Sequence, residues 1–115
     1  MLLAGVSYKE AGRMSEYLTD ESIAAMTTHG IPDYMQGGLI RYFNNRLQPG
    51  HFLTAVLSND LMEAFARADE VNTACMESYL MWLYNDVPGR AFGAWGSPKA
   101  VKEWLKGDPD GNDAL

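Results

Sequence analysis

The sequence predicts an all-α domain, a compact bundle of five to seven short helices, and three observations support that class. Apolar residues recur at helical spacing through most of the chain, and residues that start or stop helices separate the apolar stretches. One segment, His51–Leu57 (HFLTAVL), has the length and the β-branched residues of a strand. Because no second convincing strand is there to pair with it, we interpret this segment as a helix too.

The size and composition of the chain indicate one domain without a membrane anchor. The chain has 115 residues, of which 47% are apolar, and we place a single helical domain at residues 1–107 and a disordered acidic tail at 108–115. No apolar run approaches the roughly 20 residues of a membrane helix. The opening MLLAGVSY is too short for a signal peptide and lacks a basic lead. We therefore expect a cytosolic protein, and the single Cys75 fits a reducing compartment.

The first half of the chain contains four predicted helices. The weakest is Lys9–Leu18, which includes a glycine. Thr19 is the expected N-cap of a helix at Asp20–Thr28, and Gly30 ends it. Pro32 suits the first turn of the third helix, since proline has no N–H to leave unpaired there. The apolar residues of that helix are Ile31, Met35, Leu39 and Tyr42, and the segment His51–Leu57 supplies the fourth helix.

Three more helices are predicted in the second half. Ser58 or Asn59 is the expected N-cap of a helix that buries Leu61, Phe65 and Ala68. The strongest helical pattern runs from Glu70 or Val71 to Asp86 and is apolar over more than half its circumference, which predicts a central helix. Its expected buried face consists of Val71, Cys75, Ser78, Tyr79, Trp82 and Leu83, widened by Met76 and Leu80. After a predicted loop, RAFGAWG, Ser97 and Pro98 start a helix that turns Val101, Trp104 and Leu105 inward.

Two adjacent glycines, Gly37 and Gly38, lie inside the third helical pattern. Each costs a helix interior roughly 1 kcal/mol relative to alanine. A helix that contains both is expected to let something approach its backbone closely: another helix, a second subunit or a ligand.

The sequence predicts no catalytic residue, no metal site and no cofactor. Its two histidines, His29 and His51, are far apart in sequence, and neither HExxH nor paired CxxC motifs are present. The phosphate-binding motifs GxxxxGK[ST] and GxGxxG are also absent. No nucleophile elbow surrounds a serine. We therefore expect a protein that is not an enzyme.

Acidic residues are concentrated between residues 58 and 88. This band has six acids and one base, Arg67, within a chain of net charge −6. Nucleic-acid phosphates would be repelled, so direct nucleic-acid binding is not expected. The band is either a solvated helix surface or a surface that binds a basic partner. In the second case, the expected partner-binding residues are Asp60, Glu63, Asp69, Glu70 and Glu77.

A second possible site surrounds the paired glycines. Tyr34, Arg41 and Tyr42 could form a pocket in which a planar group of a ligand stacks on the aromatic rings. The guanidinium of Arg41 could then donate two hydrogen bonds to a phosphate or carboxylate of that ligand. Asn59, at a predicted helix start, could receive ribose hydroxyls or an anion, and Arg67 could assist. The full predicted ligand set is Tyr34, Gly37, Gly38, Arg41, Tyr42, Asn59 and Arg67. The structural alternative is that Arg41 pairs with Asp33 or a helix C-terminus, Tyr42 is core and Asn59 only caps a helix.

The blocks IPDYMQGGLIRYFNN, PGHFLTAVLSNDLMEAFARADEVN, YLMWLYNDVPG and WGSPKAVKEWL resemble a family of small proteins encoded by tailed phages and prophages. The resemblance spans roughly residues 19 to 106. The family has no assigned activity, so no functional residue is transferred from it. The resemblance implies an accessory role in the bacterial host cytosol during infection.

Three functions follow as hypotheses. The first, which we favour, is a phage accessory protein that inhibits a host or bacterial immune-defence component by non-covalent binding, with the acidic band facing a basic groove of that partner. The second is a protein that binds or sequesters a nucleotide signal in a pocket at a subunit interface, which would require a homo-oligomer. The third is a structural or assembly role in the phage particle, for which the sequence contains no positive feature.

Overall fold

The computed structural model describes residues 17–107, and the regular elements of that range are all helical, which confirms the predicted all-α class. A 3-10 helix, Gly89–Ala94, precedes the last α-helix in a segment predicted to be a loop. The predicted acidic tail, 108–115, lies outside the described residues, as does most of the predicted helix Lys9–Leu18. Seven α-helices are described: α1 (Asp20–His29), α2 (Asp33–Asn45), α3 (His51–Leu57), α4 (Leu61–Arg67), α5 (Glu70–Ala74), α6 (Met76–Asp86) and α7 (Pro98–Leu105).

Local capping explains where several of these helices begin and end. The Thr19 hydroxyl accepts from the Ser22 N–H at 3.0 Å, and the Ser22 hydroxyl accepts from the Thr19 N–H at 2.8 Å, forming a reciprocal capping box. Gly30 ends α1 with φ of +93°, a conformation that suits glycine. Ser97 accepts from the Ala100 N–H at 3.0 Å and starts α7. The predicted starts of α1 and α7 are therefore confirmed.

The ambiguous apolar segment His51–Leu57 is helical, as predicted. Five of its seven residues are buried: Phe52, Leu53, Ala55, Val56 and Leu57. The helix packs against both α4 and α7. Because it has neighbours on more than one side, it can be apolar around most of its circumference without needing a partner strand.

The predicted continuous helix from Glu70 to Asp86 is wrong, because the chain turns at Cys75. Asn72 points inward at 3% exposure, and its side-chain oxygen accepts a hydrogen bond from the Tyr79 hydroxyl at 2.5 Å. Val71, a predicted core residue, is exposed. Two short helices, α5 and α6, therefore replace one long helix.

Aromatic residues form the centre of the core, and the indole N–H groups of two of them are paired with backbone carbonyls. The Trp82 indole donates to the Ser22 carbonyl at 2.7 Å and the Trp104 indole to the Tyr42 carbonyl at 2.8 Å. The Phe43 ring meets the Trp82 ring edge-on at 5.8 Å. The predicted core positions of Trp82 and Trp104 are confirmed.

The orientation of α4 differs from the prediction. Leu61 and Phe65, expected in the core, are 57% and 46% exposed, whereas Ala64 is buried. The helix has seven residues and meets α3 through this small side chain, so its larger apolar residues remain outside. An apolar surface results, close to α3 and α6.

Candidate functional site: an apolar groove between α3, α4 and α6

Among the side chains that the structure describes, the large apolar ones that are exposed lie mainly in one part of the chain. Of the nine that are exposed within residues 17–107, seven lie between positions 61 and 84. Burying one such side chain stabilises a folded protein by about 1.5–3 kcal/mol. Several large apolar side chains that remain exposed close together are therefore typical of an interaction surface. The seven residues are Leu61, Met62, Phe65, Val71, Leu80, Met81 and Tyr84.

Four of these residues line two adjoining hollows, which together we call the apolar groove. The first hollow has a volume of about 240 Å³ and lies between α3, α4 and α6; the second, of about 330 Å³, lies between α3, α6 and Trp95. Val56, Asn59 and Leu80 line both hollows. Leu61 and Met76 belong to the first hollow only, and Met81, Tyr84 and Trp95 to the second only.

A tight turn between α3 and α4 shapes the first hollow. Asn59 adopts φ of +61°, in the left-handed region that asparagine tolerates better than most residues. The Asp60 N–H donates to the Ala55 carbonyl at 2.9 Å, and the Asp60 carboxylate accepts from the Glu63 N–H at 3.2 Å. The N-cap of α4 is thus Asp60, which corrects the predicted Ser58 or Asn59.

The groove is apolar in character and contains little charge. Among the side chains that the structure describes, no lysine, arginine or histidine lines either hollow, and the charged residue at their walls is Asp60. Met76 and Met81 contribute flexible thioether side chains, which adapt to the shape of a bound surface. The groove is therefore suited to apolar side chains, and the described part of its lining has no cation to pair with a phosphate.

The predicted acidic binding residues fall into two groups. Glu63 and Asp69 are already engaged within the protein. Glu63 forms an ion pair with Arg67, one turn along α4, at 2.6 Å. Asp69 caps α5, and hydrogen bonds from the Asn72 N–H and then the Tyr34 hydroxyl lower its pKa below the ordinary value.

The remaining three predicted acids stand at or near the surface. Asp60 is exposed and lines the first hollow. Glu77 is exposed on α6, one helical turn before Leu80 and Met81. Glu70 is exposed in the first turn of α5. Asp60 and Glu77 are therefore the predicted acids whose positions adjoin the apolar groove.

The predicted ligand pocket around the paired glycines is not assembled as expected. Tyr42 lies in the core at 0% exposure and donates to the Ala94 carbonyl at 2.6 Å, so its assignment to a surface pocket is wrong. A Cβ on Gly38 would lie 3.1 Å from Leu53, and a Cβ on Gly37 would lie 3.1 Å from the guanidinium of Arg41. The predicted close contacts with the backbone of Gly37 and Gly38 are therefore made by side chains of the same chain.

The other predicted ligand residues make separate contacts and do not form one pocket. The Tyr34 hydroxyl donates to Asp69, which raises the pKa of this tyrosine. Arg67 pairs with Glu63, and Asn59 lines both hollows of the groove. Neither hollow is lined by Tyr34, Gly37, Gly38, Arg41 or Arg67.

Sequence reasoning missed the functional potential of Leu80, Met81 and Tyr84. It assigned Leu80 to the widened buried face of α6 and did not consider its exposure. The usable signal was the apolar circumference of α6, since a small bundle has too few neighbours to cover every side of such a helix.

Comparison with protein-family models, with curated proteins and with solved structures finds no significant match to this chain. The resemblance to phage-encoded proteins therefore stays a prediction. Within residues 17–107, no group of three or more His, Cys, Asp or Glu side chains is placed to hold a metal ion. In the same range, none of the helices has both the length and the apolar character needed to cross a bilayer.

Proposed function

We propose that this chain is a non-enzymatic accessory protein that acts by binding another protein through the apolar groove. In the setting implied by the phage resemblance, the bound protein is a host or bacterial immune-defence component, and binding inhibits it. The observation that carries the proposal is the exposure of Leu80 and Tyr84, 45% and 80%, beside two hollows. An exposed apolar patch marks an interaction surface, and tyrosine is enriched in the interfaces between proteins.

The composition of the groove favours a protein over a nucleotide. Pockets for small molecules usually enclose about 300–1,000 Å³ and contain a few placed polar groups. The first hollow is below that range and the second is near its lower end. Of the described side chains at these walls, a nucleotide phosphate would meet the carboxylate of Asp60 and no cation. Binding of a nucleotide is therefore the alternative outcome of the experiment described below.

The acidic residues supply orientation in this proposal, and the apolar groove supplies most of the affinity. Glu63 pairs with Arg67 and Asp69 accepts from Tyr34 within the same chain. These two acids are therefore less available to a partner than the sequence pattern suggested. Glu77 and Asp60 remain close to the groove, where they would attract a basic partner and steer it.

The direct test is a comparison of three forms of the tagged protein in bacterial lysate. The wild type, Leu80→Gln and Leu47→Gln are each used for capture, and the bound proteins and small molecules are quantified by mass spectrometry. Leu47 is the matched control, because it is an exposed leucine at 53% and lies outside the groove. Circular dichroism of the three forms checks that each is folded.

We expect one or more proteins to be retained by the wild type and Leu47→Gln and to be depleted by Leu80→Gln. Equal retention by all three forms would contradict a role for the groove. A bound nucleotide in place of a protein would favour the second hypothesis instead.

A further inference from the structure

The two hollows of the apolar groove share a wall, which limits the kind of partner segment that can bind there. This step rests on the proposed function and specifies the chemistry of the protein segment that is bound. Both hollows are lined by Leu80, Val56 and Asn59, so they lie side by side with a shared wall. A bound segment must therefore supply two apolar anchors that are close together.

An α-helix supplies anchors at that spacing. Side chains three or four positions apart on a helix lie on one face, with about 5–6 Å between their Cβ atoms. That separation is comparable with the distance across a single leucine side chain. The volumes of about 240 and 330 Å³ are open enough for one large apolar side chain each. A helix laid across Leu80 would place successive anchors on its two sides.

The charge around the groove defines the rest of the segment. Residues 58–88 carry six acids and one base, and that base, Arg67, is paired with Glu63. Asp60 stands at the first hollow, and Glu77 precedes Leu80 by one turn of α6. Lysine or arginine on the flanks of a bound helix would meet complementary charge, whereas acidic flanks would be repelled.

The same charge argues against a second copy of this chain as the occupant. Two copies joined through their grooves would bring the two acidic 58–88 segments together. Like charges placed opposite each other oppose association. The occupant is therefore a different protein, whose charge is opposite to that of the groove's surroundings.

We infer that the apolar groove binds a basic amphipathic helix of a partner protein, with two apolar anchors spaced by three or four residues on either side of Leu80. Lysine or arginine side chains of that helix face Asp60 and Glu77.

Fluorescence anisotropy with synthetic peptides tests this inference on the full chain. The first labelled peptide, of about 18 residues so that it can form a helix, has leucines at i and i+4 along one face and lysines on the other. A second peptide has the same composition in scrambled order, and a third has glutamates in place of the lysines. The proteins are the wild type, Leu80→Gln, Glu77→Gln and the control Leu47→Gln, with folding checked by circular dichroism.

The inference predicts that the first peptide binds the wild type and Leu47→Gln equally, and binds Leu80→Gln at least about tenfold more weakly. Binding to Glu77→Gln is weaker than to the wild type at low salt, and the difference shrinks as salt is added. Comparable binding of the scrambled peptide would overturn the inference, since it would show charge attraction alone. Absence of binding by the first peptide, or equal binding by the acidic peptide, would overturn it as well.

Two results separate this inference from the proposed function. If no peptide binds but Leu80→Gln still loses a protein that the wild type and Leu47→Gln capture from lysate, the groove binds a partner of another chemistry. If sedimentation shows that the wild type self-associates and Leu80→Gln does not, the occupant is a second copy and the inference is wrong. If Leu80→Gln still captures the protein from lysate and still binds the peptide, both proposals are contradicted.

Discussion

The Tyr34 hydroxyl donates a hydrogen bond to Asp69 Oδ2 at 2.7 Å, which ties α2 to the N-terminus of α5. The other oxygen of the same carboxylate accepts from the Asn72 N–H at 2.7 Å. Two residues that the sequence suggested for two different binding sites thus form one structural contact. This contact anchors α5, the short helix between α4 and α6.

The contact predicts a change in acid stability. Because hydrogen bonds lower the pKa of Asp69 in the folded protein, its contribution to stability is present above its unfolded pKa and is lost as pH falls through the folded pKa. In Asp69→Asn, the free energy of unfolding should therefore fall less steeply with decreasing pH than in the wild type. Urea unfolding at several acidic pH values measures this difference. Tyr34→Phe should move the Asp69 pKa back toward its ordinary value, measured by carboxyl-carbon NMR titration. An unchanged Asp69 titration in Tyr34→Phe would contradict the assigned bond.

The paired glycines predict opposite responses to alanine. At Gly37 the added methyl group meets the end of the exposed Arg41 side chain, which can move, so Gly37→Ala should stabilise the fold by up to about 1 kcal/mol through helix propensity. At Gly38 the methyl group meets buried Leu53, so Gly38→Ala should gain less or lose stability. Urea denaturation of both variants measures the difference. A more stable Gly38→Ala than Gly37→Ala would show that these contacts are assigned wrongly.

The turn before α4 depends on the left-handed conformation of Asn59. Alanine strains that conformation, so Asn59→Ala should lower the free energy of unfolding by about 1 kcal/mol, whereas Asn59→Gly should be close to the wild type. Denaturation by urea tests the pair, and glycine serves as the control because it also removes the side chain. Equal losses in both variants would mean that the amide side chain, and not the backbone, holds the turn.

Charge reversal separates steering from packing at the proposed binding surface. The double variant Glu70→Lys with Glu77→Lys should weaken binding of a basic partner, mainly through a slower association rate at low salt. Both residues are exposed, so the fold should tolerate the change. Association and dissociation rates at two or more salt concentrations measure it. If the affinity of the double variant equals that of the wild type at every salt concentration, Glu70 and Glu77 do not contribute to binding.

The helical class was predictable from the sequence because its signals are local. The Thr19 capping box and the Ser97-Pro98 start depend on neighbouring residues only, and both are confirmed. The burial of Trp82 and Trp104 also followed from helical spacing. The outcome for His51–Leu57 was correct because the sequence lacked a partner strand.

The apolar groove was not predictable, because it depends on how helices are oriented after they form. The turn at Cys75 divides the strongest helical pattern, and Asn72 is turned into the core by its bond to Tyr79. Periodicity marks Leu61 and Phe65 as an inner face, but α4 packs through Ala64 instead. Such orientations arise from tertiary packing, which spacing along the chain does not encode.

We propose that the apolar groove around Leu80 is the surface through which this protein binds its partner. Amide and methyl NMR spectra of the isotopically labelled protein, recorded during titration with the basic amphipathic peptide, test it most directly. We expect shifts concentrated at the groove residues Asn59, Leu61, Leu80, Met81 and Tyr84, with little change at Tyr34, Gly37 and Arg41. Shifts concentrated at the second group, or no shifts at any peptide concentration, would contradict it.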